Sequence, residues 1–333
     1  MTNVLNKLVG VVLVALIVLA PARLALADPP ERFVVFGDSL SDPGNAFVVL
    51  KRLGVPPFVS VPPFVNLIPD APYARGALHF SNGPTWIEQL SLLDHALPSA
   101  GPALVLPTVF SNYAVGGALA GGSGPFDLSG QVNLFLGDFR GRGPDDALYV
   151  LWAGGNDVRD ALDALAVDPS GATSVSIVQQ AVSSIRSNLL TLYGVGARRF
   201  LVPNAPDIGL APAILLLGKQ VPQLPQLATQ FSSVFNSGLE QVLVGLASMP
   251  GVEVVRLDVF SILHKVVDAP GAEGLRDVQN PCIRLRTFVH AYCPRPDQFL
   301  FWDGIHPTVA GHRILARHAN AALGATSARE ATR

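Results

Sequence analysis

Four short stretches of the chain, residues 32–36, 147–152, 198–202 and 252–257, are apolar at most positions and rich in valine, leucine and aromatic residues. Strands covered on both faces have this character, because neither side of their pleat meets water. Between and beyond them, helical stretches are expected over 84–93, 129–139, 174–193, 224–246 and 307–323. Pro307 suits the first position of the last helix, where its fixed φ is already helical and its missing N–H would have had no partner. Strands alternating with helices predict an α/β fold, a three-layer α/β/α sandwich around a mostly parallel sheet.

Two segments break the pattern. Residues 1–27 contain Lys7, an apolar run over 8–20 and the small-residue site Ala25-Leu26-Ala27, the order of a secretory signal peptide. The apolar run falls short of the roughly 20 residues of a membrane span, so cleavage near Ala27 is expected rather than a retained anchor. Residues 54–82 carry Pro56, Pro57, Pro62, Pro63, Pro69 and Pro72 among apolar residues. This segment reads as an ordered surface loop, either bordering a site at the carboxyl ends of the strands or purely structural. No linker divides the remainder, so a single domain over 28–324 is expected, followed by a flexible tail over 325–333.

Hydrophobic residues make up 49% of the chain and charged ones 14%, which asks for a large core or an apolar binding surface. The formal charge of −2 becomes −4 once Lys7 and Arg23 leave with the signal. That balance supplies no basic footprint for nucleic acid. The two cysteines, Cys282 and Cys293, are close in sequence, and an oxidising export compartment favours a disulfide between them. Adding His290 would give a zinc site only three ligands, too few for a closed structural site.

A hydrolytic serine needs a base within hydrogen-bond reach, a group that orients the base, and donors for the oxyanion. The chain has no G-x-S-x-G elbow; its nearest approach, Gly121-Gly122-Ser123-Gly124, runs into Pro125. H-E-x-x-H, Walker and dinucleotide motifs are also missing. Ser39, however, lies in Gly37-Asp38-Ser39-Leu40-Ser41-Asp42 just past the first predicted strand, where an open α/β sheet places its chemistry. Near the other end, Trp302-Asp303-Gly304-Ile305-His306-Pro307 sets an acid three residues before a histidine, a spacing that brings both side chains to one side of a turn. Either piece alone is weak, since Gly-Asp-Ser is more often a plain turn.

Four blocks in order, Gly37-Asp38-Ser39-Leu40-Ser41, Asn112-Tyr113-Ala114-Val115-Gly116-Gly117-Ala118, Gly154-Gly155-Asn156-Asp157 and Asp303-Gly304-Ile305-His306-Pro307, together resemble the GDSL or SGNH family of lipases and esterases. The likeness extends to Phe80-Ser81-Asn82-Gly83-Pro84, Val202-Pro203-Asn204-Ala205-Pro206-Asp207-Ile208-Gly209 and Phe299-Leu300-Phe301-Trp302, which look like the larger secreted bacterial and plant-like members. The resemblance implies a flavodoxin-like SGNH-hydrolase fold and an exported serine esterase or lipase. Carried over by position, it implies that Ser39 attacks an ester carbonyl, with His306 as base and Asp303 as its orienter. It also implies an oxyanion hole made of the Ser39 amide, the Gly117 amide and the Asn156 side chain, with Gly116 left open beside Gly117. No metal or organic cofactor enters that scheme.

The expected partners are small-molecule or lipid esters, with transient membrane-lipid contact, no nucleic acid and a monomeric chain. One catalytic set also serves lysophospholipases, sugar O-acetylesterases and acyltransferases, and a non-catalytic lipid- or carbohydrate-binding protein could keep the fold, so these alternatives stay open. No segments of alternating strands follow the last helix, and a soluble periplasmic or extracellular enzyme of bacterial type is expected. His79, His95, His264, His312 and His318 read as structural, and Asp38, Asp42, Asn45 and Asp157 as braces of turns.

Overall fold

The apolar runs form the middle of the molecule. In the computed structural model, which describes residues 30, 32–52, 78–94, 96, 98–283 and 293–330, four strands make one parallel sheet. They are β1 (Phe33–Gly37), β2 (Leu148–Trp152), β3 (Arg199–Pro203) and β4 (Glu253–Leu257), hydrogen-bonded in that order. Each begins one residue later than the hydrophobic pattern predicts. Residues 111–115 run parallel to the free edge of β1: Val35 N–H donates to Ser111 O at 2.9 Å and Tyr113 N–H to Val35 O at 2.8 Å. Counting that segment as the second strand gives the order 2-1-3-4-5 of flavodoxin-like sheets, which place their sites where the order reverses, beside β1.

In chain order the helices are α1 (Asn45–Arg52), α2 (Trp86–Leu93), α3 (Leu128–Asp138), α4 (Gly155–Ala164), α5 (Ala172–Gly194), α6 (Pro212–Gly218), α7 (Leu224–Ala247), α8 (Val259–Asp268) and α9 (Val309–Glu330). Successive strand residues point to opposite faces, so each strand feeds two cores. Val34, Phe36, Tyr149, Leu151 and Phe200 pack with α3, α5 and α7. Phe33, Val35, Leu148, Val150 and Val255 pack with α2, α8 and α9. This is the three-layer α/β/α sandwich expected from the alternation.

The last helix departs from its prediction at both ends. It starts at Val309 because Thr308 Oγ1 accepts from Gly311 N–H at 3.2 Å and caps it, leaving Pro307 outside. It also runs on to Glu330, beyond residue 323 and into the segment expected as a tail. The helices α1, α4, α6 and α8 were not predicted; at ten residues or fewer, they are too short for periodicity to stand out. A small parallel pair, β5 (Asp277–Pro281) and β6 (Phe299–Phe301), precedes α9, and the Cys282–Cys293 disulfide lies between its two strands in the chain. Among the described residues no helix is long and apolar enough to cross a membrane. The leader 1–27, residues 54–77 of the proline-rich segment, His95, His290 and residues 331–333 lie outside the described residues.

Candidate active site

The first strand must end on a glycine. A Cβ at Gly37 would lie 2.3 Å from the Trp152 carbonyl oxygen, so only a residue without one lets the ends of β1 and β2 approach this closely. Gln131, buried on α3, clamps the same peptide unit by accepting from Gly37 N–H at 2.9 Å and donating to Gly37 O at 2.8 Å. Beyond it, Leu40 N–H donates to Asp38 Oδ1 and Ser41 N–H to Asp38 O, both at 3.0 Å. This turn leaves Ser39 half-buried, past the carboxyl end of the strand.

Asp303 and His306 sit in a loop between β6 and α9 that is tied on both sides. Trp302 N–H donates to His306 O at 2.7 Å, Thr308 N–H to Leu300 O at 2.9 Å and Ala213 N–H, on α6, to Gly304 O at 2.9 Å. Cys282 N–H and Ile283 N–H donate to Phe301 O and Trp302 O, each at 2.9 Å, so the disulfide adjoins the same loop. The buried Asp303 uses one oxygen to accept from the N–H groups of Ile305 and His306, at 2.8 and 2.7 Å. Its other oxygen lies 2.7 Å from His306 Nδ1. The three-residue spacing thus works through a turn organised by the carboxylate, not through a helix. A carboxylate at Nδ1 keeps the ring proton there and makes Nε2 the accepting nitrogen. Nε2 lies 2.8 Å from Ser39 Oγ, across 267 positions of sequence.

The residues expected to bind an oxyanion are arranged around the same turn. Asn156 stands in the first turn of α4, where Gly154, at φ +122°, caps the helix. One Asn156 amide N–H donates to Ala118 O at 2.9 Å, and Asn156 Oδ1 accepts from Arg159 Nη1 at 3.0 Å. Held at both ends, the amide has one N–H left for the cavity that Ser39, Asn156 and His306 line. Gly116 N–H is already engaged by Asp42 Oδ2 at 2.7 Å. Gly117 follows it in a left-handed conformation, φ +83°, and is exposed. Neither Gly117 N–H nor Ser39 N–H meets an acceptor among the described residues.

Buried carboxylates brace this framework. Asp42 accepts from the N–H groups of Gly44, Asn45, Ala46 and Gly116 at 2.6–3.0 Å, while burial pushes its carboxyl up to about 6. Asp157 accepts from Ala120 and Gly121 N–H at 2.7 and 2.8 Å, and burial raises it too. Burial likewise raises Asp38, next to the serine, to about 6, opposed by the Leu40 N–H and by the positive charge available to His306. Asn45 donates to Asn112 O and Ala114 O at 2.8 and 2.9 Å.

The remaining described histidines have other settings. His79 pairs with Glu88 and His264 with Asp207, each at 2.9 Å. His312 is buried, which depresses it to about 3 and keeps it neutral, and His318 lies half-buried on α9. Among the described residues no group of three or more His, Cys, Asp or Glu side chains is placed to hold a metal. Gln131 and Arg159 are the functional-site residues that sequence reasoning missed. The only signal for Arg159 was its helical spacing of three from Asn156, and Gln131 had none.

A family model described as GDSL-like lipase/acylhydrolase matches residues 33–319. A GDSL esterase/lipase of Arabidopsis thaliana is 28% identical over 332 residues, covering 88% of this chain and 85% of that protein. A relative from the same plant, an inactive GDSL esterase/lipase-like protein, is 25% identical over 296 residues, 84% of this chain and 68% of its own length. An anther-specific proline-rich protein of Arabidopsis thaliana is 30% identical over 142 residues, 40% of this chain, and there the match spans only 26% of the relative. A solved catalytic mutant of an acetylxylan esterase from Geobacillus stearothermophilus shares the fold, with a TM-score of 0.50 at 16% identity over 90% of this chain and 96% of that one.

Proposed function

The chain belongs to the GDSL-like lipase/acylhydrolase family and is a carboxylic ester hydrolase, and from that premise we propose that it works through an acyl-enzyme on Ser39, with His306 as base and Asp303 as orienter. Ser39 Oγ attacks the ester carbonyl carbon as its proton passes to His306 Nε2, and the carbonyl π pair moves onto oxygen. The oxyanion so formed accepts from the N–H groups of Ser39 and Gly117 and from the Asn156 side chain. Collapse of the adduct expels the alcohol, which takes the proton from the imidazolium. Water then attacks the acyl-enzyme by the same route and releases the acid. Asp303 holds the ring in one tautomer and stabilises its cation. Arg159 acts as a positioning residue that fixes which end of the Asn156 amide faces the reacting carbonyl.

The observation that carries this reading is the unbroken line Asp303 Oδ2, His306, Ser39 Oγ, with steps of 2.7 and 2.8 Å. Family membership alone would not, since one relative is described as inactive. The engaged Gly116 amide and the unengaged Gly117 amide support Gly117 as the backbone donor. We place the enzyme outside the cytoplasm as a monomer of one hydrolase domain over 28–324, released by cleavage near Ala27 and meeting lipid surfaces only in passing. The disulfide and the leader pattern support export.

The test is a fluorophosphonate probe followed by peptide mapping. Label on the Ser39 peptide is expected, with labelling and ester hydrolysis both lost in Ser39→Ala. Hydrolysis that survives Ser39→Ala, or label on another serine, would overturn the assignment.

A further inference from the structure

The block Phe80-Ser81-Asn82-Gly83 closes on the His306 loop from a distant part of the chain. Ser81, fully buried, donates its Oγ–H to Pro307 O at 2.8 Å across 226 positions of sequence. Asn82 Oδ1 accepts from Val309 N–H at 2.8 Å, which fixes the first residue of α9. The chain that follows His306 is thus pinned from outside its own turn, while Asp303 pins the turn from within. These bonds bring Phe80 onto the imidazole. The ring centroids of Phe80 and His306 are 5.3 Å apart and their planes are tilted by 33°, closer to stacked than to edge-on. Phe47, buried on α1, packs against the Phe80 ring at a centroid distance of 5.3 Å. Gly116 lies against the same ring. A Cβ there would fall 2.2 Å from Phe80 Cε2, so residue 116 must lack a side chain for the ring to lie where it does. The Gly116 amide is taken by Asp42, and this close approach gives the residue a separate reason to be glycine.

An aromatic ring carries negative charge on its face, and a cation within about 6 Å of its centroid is attracted to it. The His306 imidazole is neutral before attack and positive once it has taken the Ser39 proton, so this attraction grows as the transition state forms. Only an interaction that grows in this way speeds the chemical step. We infer that Phe80 is a positioning residue for the reaction: it holds the plane of the His306 ring and stabilises the imidazolium through its aromatic face. The inference rests on the catalytic reading above and adds a group to it. Gly116 is the notch that admits the ring. Phe80 is absent from the described residues that line the cavity at Ser39, so its loss should appear in kcat with KM little changed.

The test is a fluorination series at position 80 of the full-length enzyme, assayed on p-nitrophenyl acetate beside Ser39→Ala. Fluorinated phenylalanines keep the shape of the ring while draining the negative charge from its face. Turnover should fall stepwise from phenylalanine through trifluoro- to pentafluorophenylalanine, to about a tenth of the parental kcat, with KM held within about twofold. Phe80→Leu should likewise cost about tenfold in kcat. In the His306→Ala background, where no imidazolium forms, Phe80→Leu should cost nothing further. Gly116→Ala keeps its amide but displaces the ring, so it should lower kcat in the parent and be nearly neutral in the Phe80→Leu background. A kcat indifferent to fluorination, or an equal loss from Phe80→Leu with and without His306, would overturn the role of Phe80 and leave the Ser39 mechanism standing. Full activity in Ser39→Ala would instead bring down both.

Discussion

Asp38→Asn isolates a conflict between stability and catalysis at the serine turn. Burial pushes the Asp38 carboxyl from its ordinary 3.8 up to about 6, so the folded state resists its ionisation. Between those values the native chain keeps a proton that the unfolded chain has released, and stability falls as pH rises. The slope is about 1.4 kcal/mol per pH unit, so across a window of about two units the ionised group costs about 3 kcal/mol. That cost is complete above about pH 6 and absent below the unfolded value. Asparagine keeps an oxygen for the Leu40 N–H donated at 3.0 Å but never ionises. Urea unfolding should therefore find Asp38→Asn more stable than the parent by up to about 3 kcal/mol near pH 8, with the gap closing as pH is lowered to about 3.5. Turnover should move the other way. The Asp38 anion favours the positive charge that His306 takes on during attack, and losing an interaction of about 1 kcal/mol lowers kcat about fivefold. A variant whose stability advantage over the parent is no larger near pH 8 than near pH 3.5, or one that gained activity, would refute the reasoning.

The other predictions concern the donors, the base and the loop that carries it. Asn156→Ala should lower kcat roughly 100- to 1,000-fold in a protein that still folds, and near-parental turnover would remove Asn156 from the oxyanion hole. Arg159→Met, which frees the Asn156 amide now held at 3.0 Å, should cost about tenfold in kcat yet nothing further in the Asn156→Ala background; additive losses would show that Arg159 acts elsewhere. His306→Ala removes the acceptor that lies 2.8 Å from Ser39 Oγ and should lower kcat by several orders of magnitude, so a minor loss would count against this base. Replacing Cys282 and Cys293 with alanine opens a crosslink of sequence separation 11 and should destabilise the fold by about 3 kcal/mol. Calorimetry of the double variant checks it, and an unchanged midpoint would mean that the crosslink adds nothing.

How much of this could be read from the chain differs by element, for physical reasons. β1 and β2 were legible because a strand buried on both faces is apolar at nearly every position, a signal five residues can carry, whereas β4, with Glu253 and an exposed Arg256, was legible only from its valines and leucine. Ser39, Asp303 and His306 were legible as motifs, but nothing local to residue 39 or residue 306 requires them to meet; that pairing came from the order of the blocks and a family resemblance. The preference for Gly117 over Gly116 rested on the family resemblance, and the sequence itself left Gly116 open. What supports that preference in the fold is Asp42, 74 positions away, engaging the Gly116 amide, a tertiary event that leaves no mark on two adjacent glycines. Arg159 and the part of the cavity lining that α8 supplies were missed for a related reason. Both are defined by helical phase, three residues from Asn156 in α4 and the 259, 262, 263, 266 face of α8, in helices of ten residues each. A strand reveals its burial in five residues, but a helix needs several turns before its apolar stripe exceeds chance. The sheet and its blocks of glycine, acid and serine hold the reacting groups, whereas short helices shape the space beside them. Single-chain reading should therefore recover the reaction more readily than the choice of ester.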